Sequence, residues 1–224
     1  MMIDKPMFQT KICGITTVED ALVAACAGAD AIGLNFYARS PRYVTIETAE
    51  NIVRILPGGI SKVGLFVDTP AEEICRLFDR LRLDLIQLHG NQPPEFVAEL
   101  GPRPVMRAFR VGPEKLEPVG EYLDRCRELE HELELVLLDA LVAGAYGGTG
   151  QLVDWGVAQA YRAQIGTTPL VLAGGLTPEN VATAIRTVGP AAVDVASGVE
   201  SHPGRKDPTR VEAFVAAARV AFRG

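Results

Sequence analysis

Residues 169–200 read PLVLAGGLTPENVATAIRTVGPAAVDVASGVE. The run Pro169–Ala173 is short and apolar and stops at Gly174-Gly175, which predicts a buried strand. Thr177-Pro178-Glu179 then supplies an N-cap residue followed by proline at the first helical position, and predicts a helix over Pro178–Val188. A second β-rich run, Ala192–Ala196, ends at Ser197-Gly198. A strand, a glycine turn, a helix and another strand in this order form a parallel βαβ unit.

The unit recurs along the whole chain. Strands are predicted at Gln9–Cys13, Ala31–Phe36, Lys62–Val67, Leu83–Leu88, Val105–Phe109 and Leu135–Asp139, besides the two above. Helices are predicted at Val18–Ala27, Ile46–Leu56, Ala71–Leu81, Pro94–Leu100, Pro113–Glu130, Asp154–Gln164 and Pro208–Phe222, besides Pro178–Val188. Thr69-Pro70 and Asp207-Pro208 repeat the cap-then-proline signal, whereas Pro118 and Gly120 predict an irregular fifth helix. Eight such units imply a closed (β/α)8 barrel, because eight strands fill their own interior with side chains. An open doubly wound sheet is the rival, but the first turn, Cys13-Gly14-Ile15-Thr16, lacks the G-x-G-x-x-G pattern. The 224 residues are expected to form one barrel domain, with no linker or low-complexity stretch.

Composition narrows the function classes. Hydrophobic residues make up 48% and charged residues 22%, as in an ordinary globular protein. The net charge of −6 and the lack of a basic run argue against nucleic acid as a partner. Every apolar stretch is interrupted by charges such as Asp20, Asp30 and Glu212, so no membrane span is expected. The start, Met1 to Met7, has no apolar signal region, and a cytoplasmic location is expected. Cys13, Cys26, Cys75 and Cys126 are widely spaced and predict neither a zinc site nor a disulfide framework. Cys26, Cys75 and Cys126 fall in predicted helices and are read as structural. Length leaves both a monomer and a homodimer open.

In a barrel of this kind the chemistry sits at the carboxyl ends of the strands. Those ends carry Cys13, Asn35, Asp68, Gln87-Leu88-His89, Arg110, Asp139, Gly174-Gly175 and Ser197-Gly198. The glycine turns after the last two strands let backbone N–H groups approach an anion, so they predict a phosphate site, and Gly147-Gly148-Thr149-Gly150 could complete it. Asp139 ends an apolar strand and points into the barrel mouth. It stands three strands from Cys13 round the ring, a placement that suits an acid and a base on opposite sides of a small sugar. Arg42 can take a carboxylate bidentately. Gln87, His89, Gly148, Gly174, Gly175, Asp194, Ser197 and Gly198 join it as candidate substrate contacts. No metal site or cofactor motif is predicted.

Several segments, in order, resemble the phosphoribosylanthranilate isomerase family. They are Lys11–Thr16, Ser40–Val44, Val63–Val67, Gln87–Gly90, Leu138–Ala140, Gly147–Gly150, Ala173–Leu176 with Asn180-Val181, Asp194–Glu200 and Gly204–Asp207. Ala196 departs from the serine common in the family, while Ser197-Gly198 is kept. The resemblance implies a phosphosugar substrate and a cofactor-free Amadori rearrangement in tryptophan biosynthesis. It implies Cys13 as base, Asp139 as acid and Arg42 as the residue that meets the anthranilate carboxylate. Cys13 must then ionise. Lys11, two residues earlier on the same strand face, is expected either to supply the field for this or to be held structurally by Asp194. The alternatives are another phosphosugar isomerase, or a barrel that binds phosphosugars without turnover.

Overall fold

The apolar runs do form strands, and they close on one another. The computed structural model describes residues 6–111, 116–140 and 155–224. The strands are β1 (Thr10–Cys13), β2 (Ala31–Asn35), β3 (Ser61–Phe66), β4 (Leu85–Leu88), β5 (Val105–Val111), β6 (Leu135–Ala140), β7 (Leu170–Leu172) and β8 (Ala192–Val195). They run parallel in sequence order, and β1 pairs with both β2 and β8, which closes the barrel. The helices between them are α1 (Val18–Ala27), α2 (Ile46–Ile55), α3 (Ala71–Leu81), α4 (Glu95–Glu99), α5 (Glu117–Glu128), α6 (Trp155–Gln164), α7 (Val181–Val188) and α8 (Pro208–Arg223).

Period-2 alternation along the strands sorts their side chains into two layers. Ala31, Val63, Leu85, Met106, Leu135, Leu137, Val171 and Ala192 point inward and pack with Phe8 at the amino end of the barrel. Their alternates, among them Ile12, Ile32, Ile86, Val136, Leu172 and Val193, face the helices. The α3 helix shows the matching stripe, with Ala71, Ile74, Leu77 and Leu81 buried at helical spacing. Near the carboxyl end the inner layer changes character. There, Lys11, Cys13, Gln87, Asp139 and Asp194 take the buried positions.

Most element ends lie within a residue or two of expectation, and the exceptions have local causes. The fourth strand starts at Leu85, not Leu83, because the Leu83 N–H closes the end of α3 on the Phe78 carbonyl. Strand β8 stops at Val195, because Ala196 (φ −123°, ψ −79°) turns the chain into a 3-10 turn, η1 (Ser197–Val199). Asp207 caps α8 as expected, its side chain accepting from the Arg210 N–H, with Pro208 in the first turn. Pro70 occupies the N-cap of α3 itself, one residue later than predicted. The seventh helix begins at Val181 after a turn over 178–180, since the Asn180 side chain accepts from the Thr177 N–H and donates to the Gly175 carbonyl. The fifth helix is regular over Glu117–Glu128: Pro118 falls in its first turn, where no N–H is required, and Gly120 comes close to Ile165. A hairpin of β9 (Glu200–His202) and β10 (Arg205–Lys206) precedes α8 and was not anticipated.

Candidate active site

Cys13 is the last residue of β1 and is only 6% exposed. A Cβ on the neighbouring Gly33 would stand 2.6 Å from the Cys13 sulfur and 3.1 Å from Lys11 Nζ, so the glycine opens the space that the two side chains share. Lys11 is fully buried and donates to Asp194 Oδ1 at 2.9 Å. Burial pushes the Cys13 thiol above its ordinary value, an effect that Lys11 opposes and Asp194 reinforces. Burial would drive the Lys11 ammonium down, but Asp194 and Cys13 together hold it above the usual lysine range. The structural expectation for Lys11 is met by its bond to Asp194, while the thiol stays above its ordinary value despite the lysine.

Asp139 lies near the end of β6, buried, in register with Arg110 of β5. His89 Nε2 is 3.5 Å from Asp139 Oδ2, and the other ring nitrogen is 3.2 Å from the Gln87 amide. Gln87 and His89, both buried, thus form a row leading to the carboxylate.

The two glycine loops meet. Gly174 (φ 81°) and Gly175 (φ 66°) both take positive φ after β7, a turn that glycine makes without steric cost. A Cβ on Gly198 would overlap the Leu176 carbonyl, so only glycine lets the loop after β8 lie against the loop after β7. Gly198 thus joins the loops, while Ser197 lines the cavity.

Arg42 lies between β2 and α2, and its backbone N–H donates to Ser40 Oγ at 3.1 Å. Gly14 (φ 73°) makes room for its stem, as a Cβ there would stand 2.5 Å from Arg42 Cδ. The guanidinium grips Glu200 with Nε and Nη2, at 2.8 and 2.7 Å.

One cavity of about 600 Å³, counting its open mouth, brings these groups together. Cys13, Arg42, Gln87, His89, Asp139, Gly174, Gly175, Asp194 and Ser197 all line it. Gly148 lies outside the described residues. Among the described residues no cluster of His, Cys, Asp or Glu could hold a metal ion, and no helix is long and apolar enough to cross a membrane. Two contributors escaped the sequence reading, and a third was noted only as a strand end. Asn35, also at the cavity, donates to Ser40 Oγ at 3.1 Å. Glu200 and Lys206 are buried beside Arg42, and their only sequence signal was a place in the matching segments.

Residues 10–217 match the family described as N-(5'-phosphoribosyl)anthranilate (PRA) isomerase. The chain is 50% identical to the N-(5'-phosphoribosyl)anthranilate isomerase of Geobacter sulfurreducens over 214 residues, covering 95% of this chain and 99% of that relative. The crystal structure of phosphoribosyl anthranilate isomerase from Thermotoga maritima superposes with a TM-score of 0.84 at 38% identity, covering 96% of this chain and all of that one. A phosphoribosyl anthranilate isomerase solved in complex with reduced 1-(o-carboxyphenylamino)-1-deoxyribulose 5-phosphate is similar at TM-score 0.81 and 38% identity, over 96% of this chain and 100% of the other. Likeness of this extent in both sequence and structure is decisive, and the chain belongs to the N-(5'-phosphoribosyl)anthranilate isomerase family.

Proposed function

We propose that the protein converts N-(5-phosphoribosyl)anthranilate to 1-(o-carboxyphenylamino)-1-deoxyribulose 5-phosphate in tryptophan biosynthesis, with Cys13 as general base and Asp139 as general acid. The observation that carries the assignment of roles is the shared cavity: a buried thiol and a buried carboxylate line it together, beside two glycine loops and an arginine. Opening the ribosylamine ring needs a proton on the ring oxygen, which Asp139 supplies in its acid form. The imine that results acidifies the proton on C2, and the Cys13 thiolate removes it. The enolamine then tautomerises to the ketone. Lys11 favours the thiolate against the burial that disfavours it.

Gly174, Gly175 and Ser197 suit the phosphate, and Arg42 suits the anthranilate carboxylate. Holding the substrate at both ends sets C2 between base and acid, so orientation contributes alongside the proton transfers. A phosphorylated, carboxylated substrate does not cross membranes, which supports a cytoplasmic location.

The test is turnover of freshly prepared phosphoribosylanthranilate, followed by loss of its fluorescence, for the native protein, Cys13→Ser and Asp139→Asn. Each substitution is expected to lower kcat by about 10²–10⁴-fold. A native protein that binds a phosphosugar but gives no turnover would favour another substrate or a binding role. Full activity in Cys13→Ser would remove the base from the scheme.

A further inference from the structure

The proposed chemistry assigns no role to the β9–β10 hairpin. Yet two of its charged side chains, Glu200 and Lys206, are buried and converge on Arg42. Glu200 Oε1 accepts from Arg42 Nε at 2.8 Å and from Lys206 Nζ at 2.8 Å, while Oε2 accepts from Arg42 Nη2 at 2.7 Å. Lys206 also donates to the Ala196 carbonyl at 3.2 Å, at the end of β8. The tip of the hairpin lies on the Arg42 segment itself. A Cβ on Gly204 (φ 83°) would stand 2.6 Å from the Pro41 carbonyl, and the Gly204 carbonyl accepts from Thr16 Oγ1 at 2.6 Å.

This is costly architecture. Burying three ionised side chains is unfavourable unless each is well paired, and such groups commonly serve specificity more than stability. Arg42 and Lys206 are cationic and Glu200 anionic, and Lys206 also faces Cys13. Asp20, which accepts from the Lys206 backbone N–H, lies 3.8 Å from the guanidinium of Arg205. The pairing shows in the ionisation of the group. Burial would push Glu200 up, but Arg42 and Lys206 outweigh it and hold the carboxylate below its usual range. Burial keeps Lys206 low despite Glu200 and Cys13, with the Arg42 charge adding to the effect. A planar guanidinium held in place by Glu200 has the geometry that recognises a carboxylate.

We infer that Glu200 and Lys206 are positioning residues that clamp Arg42, so that the hairpin sets the enzyme's preference for a carboxylate on the aromatic ring of its substrate. The inference rests on the proposed reaction for the substrate's identity, but the clamp can be tested without turnover. Glu200 holds one edge of the guanidinium and fixes its plane, and Lys206 keeps Glu200 ionised and in place. The incoming carboxylate then meets an arginine whose side-chain entropy is already lost, which raises affinity through preorganisation.

The experiment compares ligands with and without the carboxylate. kcat/KM is measured for phosphoribosylanthranilate and for N-(5-phosphoribosyl)aniline. Kd is measured by calorimetry for the reduced product and its carboxylate-free counterpart. The proteins are the native enzyme, Arg42→Ala as the floor of the preference, Glu200→Gln, and Glu200→Gln/Lys206→Met. The double variant removes the unpaired buried lysine that could unfold the single one. Both Glu200 variants are expected to lower the preference for the carboxylate on the order of tenfold or more, toward the Arg42→Ala floor. Equal weakening of both ligands, or an unchanged preference, would overturn the clamp and leave Glu200 a structural residue. A native protein that turns over neither substrate, yet prefers the carboxylate ligand and loses that preference in Glu200→Gln, would overturn the reaction and keep the clamp. A native protein with no preference for the carboxylate would overturn the clamp.

Discussion

At the scale of single residues, the site is a set of opposing pulls on buried charge. Cys13 is held up by burial, lowered by the Lys11 cation and raised by the Asp194 anion. The signs lead to paired predictions. Lys11→Met removes the charge that favours the thiolate, so the thiol rises further and the base-dependent limb of the kcat/KM profile moves to higher pH. Asp194→Asn removes the charge that disfavours the thiolate, so the limb moves to lower pH. Reagent titration of the thiol in the two variants measures both shifts. If both proteins lose activity with the limb in place, the lysine only holds the barrel together. Each variant also leaves one buried ion without its partner, which is expected to destabilise the fold by about 3–5 kcal/mol. Denaturant midpoints should therefore be read beside the pH profiles.

At the scale of elements, loops and caps decide how these residues meet. The two glycine loops touch because Gly198 has no side chain where the Leu176 carbonyl lies. Gly198→Ala is expected to push the loops apart, cost about 1–3 kcal/mol of stability and raise KM for the phosphosugar. A KM unchanged for the phosphate-bearing substrate would dissociate this junction from phosphate binding. Strands and helices were largely legible, since apolar periodicity and proline or aspartate caps act over a few residues. Val18–Ala27 and Ala71–Leu81 fall on their predicted bounds. The departures arise where side-chain and backbone hydrogen bonds competed with the regular pattern, as at Asn180 and Leu83. The β9–β10 hairpin was illegible because its strands span three and two residues, too short for any periodicity to show.

For the whole molecule, closure of the ring brings the first and last strands together. Strand β8 pairs with β1, and α8 packs on α1 and α7 across the same seam. Phe214 of α8 is fully buried in the layer between strands and helices. Phe214→Ala is expected to cost about 3–5 kcal/mol through the cavity it leaves. The loss should appear as a lower Tm, together with weaker phosphosugar binding, since α8 follows directly on the hairpin and the loop after β8. A lower Tm with binding unaffected would show that the seam and the site are independent.

By itself the sequence determined the eight βα units, the placement of Cys13, Asp139 and the glycine loops at strand ends, and the family. These follow from local patterns, in which each residue's propensity and its near neighbours suffice. Only the tertiary structure decided the pairings. Arg42 and Glu200 are 158 positions apart, and Lys11 and Asp194 are 183 apart. Local pattern left the first pair unseen and the second as one of two alternatives, because both depend on strand register and on where the closing ring sets one loop against another. The acid, the base and the arginine were thus readable as candidates from their places along the chain. What holds each of them, and with what charge beside it, came into being when the barrel closed.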